Sequence, residues 1–201
     1  MPTRIDYYMV PQSPFVYLGH QRLMQIASKA GAQVRLLPFD LGKVFTVSGG
    51  LPLGQRAPQR RAYRLLELRR FSEALGLPMH IEPAFFPVAG DDAARLLIAV
   101  DAADGTEAAL RLARAVTRAV WEEQRNIADV ATLGELLAAE NLPASRIEES
   151  KSAQVQQTYD ANTQQAIDTG IFGAPSFVID GELFWGQDRL DFVERKLPGS
   201  R

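Results

Sequence analysis

The 201-residue chain has no cysteine, and that absence excludes a whole reaction class. Dithiol–disulfide exchange needs a protein thiolate, so any thiol chemistry here has to come from a bound small molecule. Histidine is scarce too. His20 and His80 are far apart in the sequence and, with no thiolate beside them, give no zinc-binding pattern. No apolar run is long enough to cross a bilayer, and Met1-Pro-Thr-Arg-Ile-Asp6 has no secretory core, so a cytoplasmic location is expected. An excess of one charge is also missing: 22 Lys and Arg face 24 Asp and Glu, for a net charge of −2. That balance argues against nucleic acid or an anionic membrane as the main partner. There is no internal repeat and no low-complexity segment.

What is present is ordinary globular composition, 46% hydrophobic and 23% charged, enough for one large domain or one domain with a sizeable insertion. The most informative stretch runs from Gly170 to Leu190. Residues 176–179 are β-branched and aromatic, Asp180-Gly181 is a two-residue hairpin signal, and residues 182–185 return as a second strand. Gly186-Gln187-Asp188 then leads into a helical pattern, with Asp188 placed to cap it. Pro175 opens the first of these strands, where a cis bond would present the Ala174 backbone to a ligand.

The N-terminal end complements this. Residues 4–10 and 33–39 read as strands, separated by a helix with Ser13 at its N-cap, Pro14 at its first position and Gly31 as its stop. Strand, helix, strand in that space makes a parallel βαβ unit. Residues 40–57 read as a turn-rich loop, 58–75 as an amphipathic helix, and 79–90 as irregular. Helices are expected at 92–102, at 107–124 with Thr106 as cap, at 133–140 with a capping box from Thr132, and from a second box at Ser145 to about residue 169. The arginines at 60, 61, 64 and 70 read as a solvated face. The expected fold class is therefore α/β, with the order βαβ…ββα and an all-helical segment between the halves.

Position alone says little about Ser13. A serine before a proline is a common helix start, although free N–H groups at such an end also stabilise anions and thiolates. Ala174-Pro175 reads equally as a plain turn, and Trp185-Gly186-Gln187-Asp188 as strand end, turn and cap.

Taken together, Ser13-Pro14-Phe15-Val16-Tyr17-Leu18 and the Gly-x-Pro, Asp-Gly, Trp-Gly-x-Asp-Arg-Leu sequence resemble one family closely. It comprises the 2-hydroxychromene-2-carboxylate isomerases and kappa-class glutathione transferases, relatives of the DsbA-type thiol oxidoreductases. Tyr63, Leu75-Gly76-x-Pro78 and Tyr159 extend the likeness through the helical segment. The resemblance implies a thioredoxin-like domain at 1–54 and 170–201, with an inserted helical domain at 55–169. It implies glutathione as cofactor, with Ser13 in place of a redox cysteine, donating to the glutathione sulfur. Ala174, before a cis Pro175, would pair with the cysteinyl backbone. Trp185, Gly186, Gln187 and Asp188 would receive the γ-glutamyl end.

An acidic substrate needs cationic and polar partners, for which Lys43, Gln55 and Arg56 are candidates, with Phe86 as an aromatic wall. The sequence departs from the family at Gln55, where Asn is usual, and at Phe86, where Tyr is frequent. Its first strand also carries Tyr7-Tyr8-Met9-Val10 instead of a Phe-Asp pattern. The implied activity is a glutathione-dependent isomerase of naphthalene-type aromatic degradation, acting on a small aromatic carboxylate by reversible thiolate addition. A homodimer is implied as well. Two other readings stand beside it: a kappa-class-like transferase conjugating electrophiles, and a non-catalytic, cysteine-free binding protein.

Overall fold

The computed structural model describes residues 2–198. Four strands form one mixed sheet: β1 (Arg4–Met9), β2 (Gln33–Pro38), β3 (Ser176–Ile179) and β4 (Glu182–Trp185), in the order β2-β1-β3-β4. The pair β1–β2 is parallel, with Arg4 opposite Gln33 and Met9 opposite Pro38. Both β1–β3 and β3–β4 are antiparallel. The β3–β4 hairpin turns at Asp180 (φ 50°) and Gly181 (φ 80°). Positive φ at both central residues matches the right-handed twist of the flanking strands, which is why Asp-Gly is favoured there. Ending the segment 170–198, a 3₁₀ turn at Gln187–Arg189 feeds a short C-terminal helix at Leu190–Lys196.

Between β1 and β2 lies α1 (Pro14–Ala30), stopped by Gly31 in the left-handed region. From β2 to β3 the chain is helical: α2 (Leu41–Ser48), α3 (Pro58–Leu75), α4 (Asp91–Asp104), α5 (Thr106–Trp121), α6 (Val130–Ala139), α7 (Arg146–Glu149) and α8 (Ala153–Asp168). The C-terminal helix is α9. The βαβ…ββα order expected from the sequence is present. Along β1 the side chains alternate between the two faces, as strand geometry requires. Ile5, Tyr7 and Met9 join the main core with α1, α4, α5 and α9, while Tyr8 and Val10 join a smaller core with Phe39, Val44 and Ile171. No helix among the described residues is long and apolar enough to cross a membrane.

Several local expectations are corrected. Residues 40–57 are not all loop, since α2 forms within them. Gly42, Val44, Thr46 and Val47 lower its intrinsic propensity. The helix persists because the Asp40 side chain accepts from the Lys43 N–H at 3.0 Å and Val44 is buried in the smaller core. Thr106 does not cap α5 but lies inside it, after Gly105. In α6 the cap is Asp129, which accepts from the Ala131 N–H at 3.0 Å and starts the helix three residues before the expected box; Thr132 is interior and buried. Ser145 sits before α7 without a side-chain cap, its backbone already helical. Asp188 is not the cap of α9, because it lies within the 3₁₀ turn and its carboxylate pairs with Arg189 at 2.7 Å.

Candidate active site

The site is built where the start of α1 meets the start of β3. The Ser13 side chain accepts from the Val16 N–H at 3.3 Å, as an N-cap does, and its hydroxyl reaches the Ala174 carbonyl at 3.5 Å. The Ala174–Pro175 peptide is cis, as the sequence suggested. Ladder pairing between β1 and β3 stops at Tyr8–Ser176, so the Ala174 peptide lies beyond the sheet's hydrogen bonds. The cluster of free N–H groups at this helix end is thinner than the sequence suggests. Pro14 has none, Val16 is tied to Ser13 itself, and Tyr17 bonds the Ser13 carbonyl at 3.1 Å. The Phe15 N–H is left at the open end, so at this helix start the Ser13 hydroxyl is the side-chain donor that reaches the smaller lobe.

Two cavities open from this point and share Phe15, Arg56, Arg64, Ala174 and Trp185, which makes them lobes of one cleft. The smaller lobe, about 300 Å³, reaches Ser13 and is walled by Phe45, Phe86 and Phe172. The larger, about 570 Å³, runs between α3 and the Gly186-Gln187-Asp188 turn. Trp185 stands at their junction, half exposed and packed on Phe172 with ring centres 4.7 Å apart. Its indole crosses Gly173 so closely that a Cβ there would lie 2.3 Å from Nε1. Gln187 is buried against α1, where Gly19 leaves room for it, and its Nε2 finds no partner among the described residues. Asp188 borders the larger lobe.

The α3 side carries the cations. Arg56 donates Nε–H to the Leu51 carbonyl at 2.8 Å, and its guanidinium lies 5.9 Å from the centre of the Phe45 ring. Arg64 lies over Phe86 at 5.0 Å and near Trp121 at 5.9 Å. Burial, and then the charge of Arg56, push its guanidinium down to about 10. Arg64 was not among the expected site residues. It is missed when the α3 arginines are taken as one solvated face, yet it stands four residues before Leu68, the fully buried residue of α3, and so shares its side of the helix.

The expected substrate residues divide. Arg56 and Phe86 line the cleft, whereas Lys43 and Gln55 line neither lobe. Lys43 points from α2 to Asp160 of α8 at 2.9 Å, a pairing that raises its pKa. Gln55 is exposed in a 3₁₀ turn. A separate cavity of about 310 Å³ lies at Tyr17, His20 and Arg118, where the tyrosine and histidine are already engaged. Tyr17 donates to Glu122 at 2.9 Å, and His20 Nε2 meets the Leu110 carbonyl at 3.0 Å.

This fold and its cis-proline junction define the class, and the chain belongs to the DsbA-like thioredoxin domain family, which matches residues 4–198. Within that class it is similar to the 2-hydroxychromene-2-carboxylate isomerase of Pseudomonas putida, at 29% identity over 194 residues, covering 94% of this chain and 92% of that protein. Glutathione S-transferase kappa 1 of Caenorhabditis elegans is 26% identical over 202 residues, covering 94% of this chain and 88% of that one. A solved structure of a 2-hydroxychromene-2-carboxylate isomerase superposes with a TM-score of 0.80 at 26% identity, covering 96% of this chain and 93% of the other.

Proposed function

We propose that the chain is a glutathione-dependent isomerase acting on 2-hydroxychromene-2-carboxylate or a close aromatic analogue. One observation carries the reading: in a chain without cysteine, the Ser13 hydroxyl and the Ala174 peptide converge at 3.5 Å on the floor of a cleft that also holds arginines and aromatic rings. Names of similar proteins, both isomerase and glutathione transferase, support it.

The residues present fit the cofactor. The open Ala174 peptide suits strand-like pairing with a peptide ligand. The buried, unpartnered Gln187 Nε2 and the Asp188 carboxylate suit its γ-glutamyl end, with Trp185 and Gly186 as the connecting wall. Ser13 then rotates its proton from the Ala174 carbonyl to the sulfur, a hydrogen bond that favours the thiolate over the thiol. When bound, glutathione would supply a thiolate capable of reversible addition to a conjugated double bond, which permits rotation about it. Arg56 adds positive charge to the wall that an acidic substrate meets, and Phe86 packs on the substrate ring. Because Phe86 has no hydroxyl, protons in this lobe are handled by Ser13 or water. Lys43 and Gln55 would reach such a substrate only after rearranging.

The same site serves a second reading, a kappa-class-like transferase, supported by the similarity to the Caenorhabditis elegans protein. Conjugation of a neutral electrophile without isomerisation separates the two.

The test is a glutathione titration followed by Trp185 fluorescence and thiolate absorbance, with Ser13→Ala alongside. Saturable binding whose thiolate signal disappears in the variant is expected. No binding at millimolar glutathione would overturn both enzyme readings and leave a non-catalytic binding protein.

A further inference from the structure

We propose that Arg64 is the carboxylate receptor of the cleft and that the second ligand is an aromatic anion lying across Phe86. The inference rests on the proposed glutathione site only for the identity of the first ligand. Its own basis is an uncompensated cation.

Arg64 Nη2 is buried and has no hydrogen-bond partner among the described residues. Among the described residues no carboxylate pairs with this guanidinium. Glu67 lines the same cleft but pairs with Arg70 at 3.0 Å, and Asp188 pairs with Arg189 at 2.7 Å. Arg56, the next cation along the wall, adds like charge. A buried guanidinium donor left unpaired is destabilising, more so than a neutral one. An anion entering the cleft offsets the charge of a guanidinium that lines both lobes.

The geometry also chooses the kind of anion. The guanidinium lies 5.0 Å from the centre of the Phe86 ring and lines both lobes, and a flat guanidinium offers a two-pronged donor to a planar carboxylate. Phe45, Phe86 and Phe172 wall the lobe that reaches Ser13. A flat ring fills such a lobe, and glutathione has none to offer. The glycyl carboxylate of glutathione is the other possible source of the anion, and it is distinguished by the test.

The probe is trans-cinnamate, a non-reacting aromatic carboxylate, compared with methyl cinnamate. Both are titrated by Trp185 fluorescence against wild type, Arg64→Met and Arg64→Lys, with and without glutathione. Wild type is expected to bind the acid about 10- to 100-fold more tightly than the ester, the range set by hydrogen bonds to a charged group. Methionine keeps the packing on Phe86 and should erase that preference while glutathione affinity changes by less than about two-fold. Lysine keeps the charge without the flat two-pronged edge and should recover only part of it. Equal binding of acid and ester by wild type overturns the proposal. So does an Arg64→Met variant that loses glutathione and keeps its preference for cinnamate, because the anion then belongs to glutathione. Cinnamate discrimination in a protein that does not bind glutathione sinks the cofactor reading and leaves Arg64 standing.

Discussion

One wall of the cleft carries Ser13, Ala174 and Trp185, and the facing wall carries Arg56, Arg64 and Phe86. The first is set by short-range rules: a capped helix start, a proline before a strand, a two-residue turn. Backbone groups and a short hydroxyl do its work, and they stay where the local chain puts them. The second wall depends on long side chains whose direction follows from how α3 packs on α1 and residues 79–90 on the end of α5. A first wall of this kind suits a ligand held through its peptide, and a second suits discrimination among partners by charge and shape. The two walls should therefore fail differently.

The largest effect is expected at the first wall. Ser13→Ala removes the hydroxyl proposed to face the glutathione sulfur and should lower kcat about 100- to 1,000-fold, by analogy with loss of one donor to a developing anion. The lost cap should also lower stability by about 1 kcal/mol, so urea unfolding is read in parallel. If kcat falls only in proportion to folded protein, Ser13 is a cap and nothing more.

Acid should loosen the same wall from beneath. His20 of α1 meets the Tyr7 hydroxyl of β1 at 3.3 Å, and burial lowers its pKa from 6.5 to about 4, against the opposing pull of the Leu110 carbonyl. The folded protein thus keeps it neutral where the unfolded chain takes up a proton. Stability contributed by the neutral ring is present above 6.5 and falls as pH drops toward 4, by up to about 3 kcal/mol. Comparing urea midpoints at pH 7 and about 4.5 checks this. His20→Gln should flatten the slope, and an unchanged slope would show that other groups control it.

A smaller effect is expected at Gly19. A Cβ there would meet Gln187 Cβ at 2.8 Å and push the Gly186-Gln187-Asp188 turn outward. Gly19→Ala should cost about 1–2 kcal/mol of stability and weaken glutathione several-fold, leaving cinnamate binding unchanged. Parallel loss of both ligands would show that the two walls are not independent. The smallest effect belongs to Lys43→Ala, which removes a surface ion pair away from the cleft. KM should move by less than about two-fold, and a larger rise would mean that α2 swings inward during turnover.

Much of the first wall was legible in the sequence. Ser13 with Pro14, the Asp180-Gly181 turn and the Ala174-Pro175 junction each depend on a few adjacent residues, and each lies where expected. Misreadings came where two local signals competed. Asp129 captures the start of α6 ahead of Thr132, and the 3₁₀ turn takes up Asp188 before it can cap α9. In α2, low propensity is overridden by the burial of Val44, a long-range contact that no local pattern contains.

The sequence by itself determined that the protein has no thiolate of its own, that a capped helix follows the first strand, and that a tight hairpin closes the sheet. These follow from composition and from bonds between neighbours. Only the tertiary structure decided which cations face the cleft. Lys43, Arg56 and Arg64 are all long, flexible and charged, and their chemistry as residues is similar. Asp160 on a distant helix holds the first outside the site, while Phe86 and Trp121, from two other segments, hold the last within it.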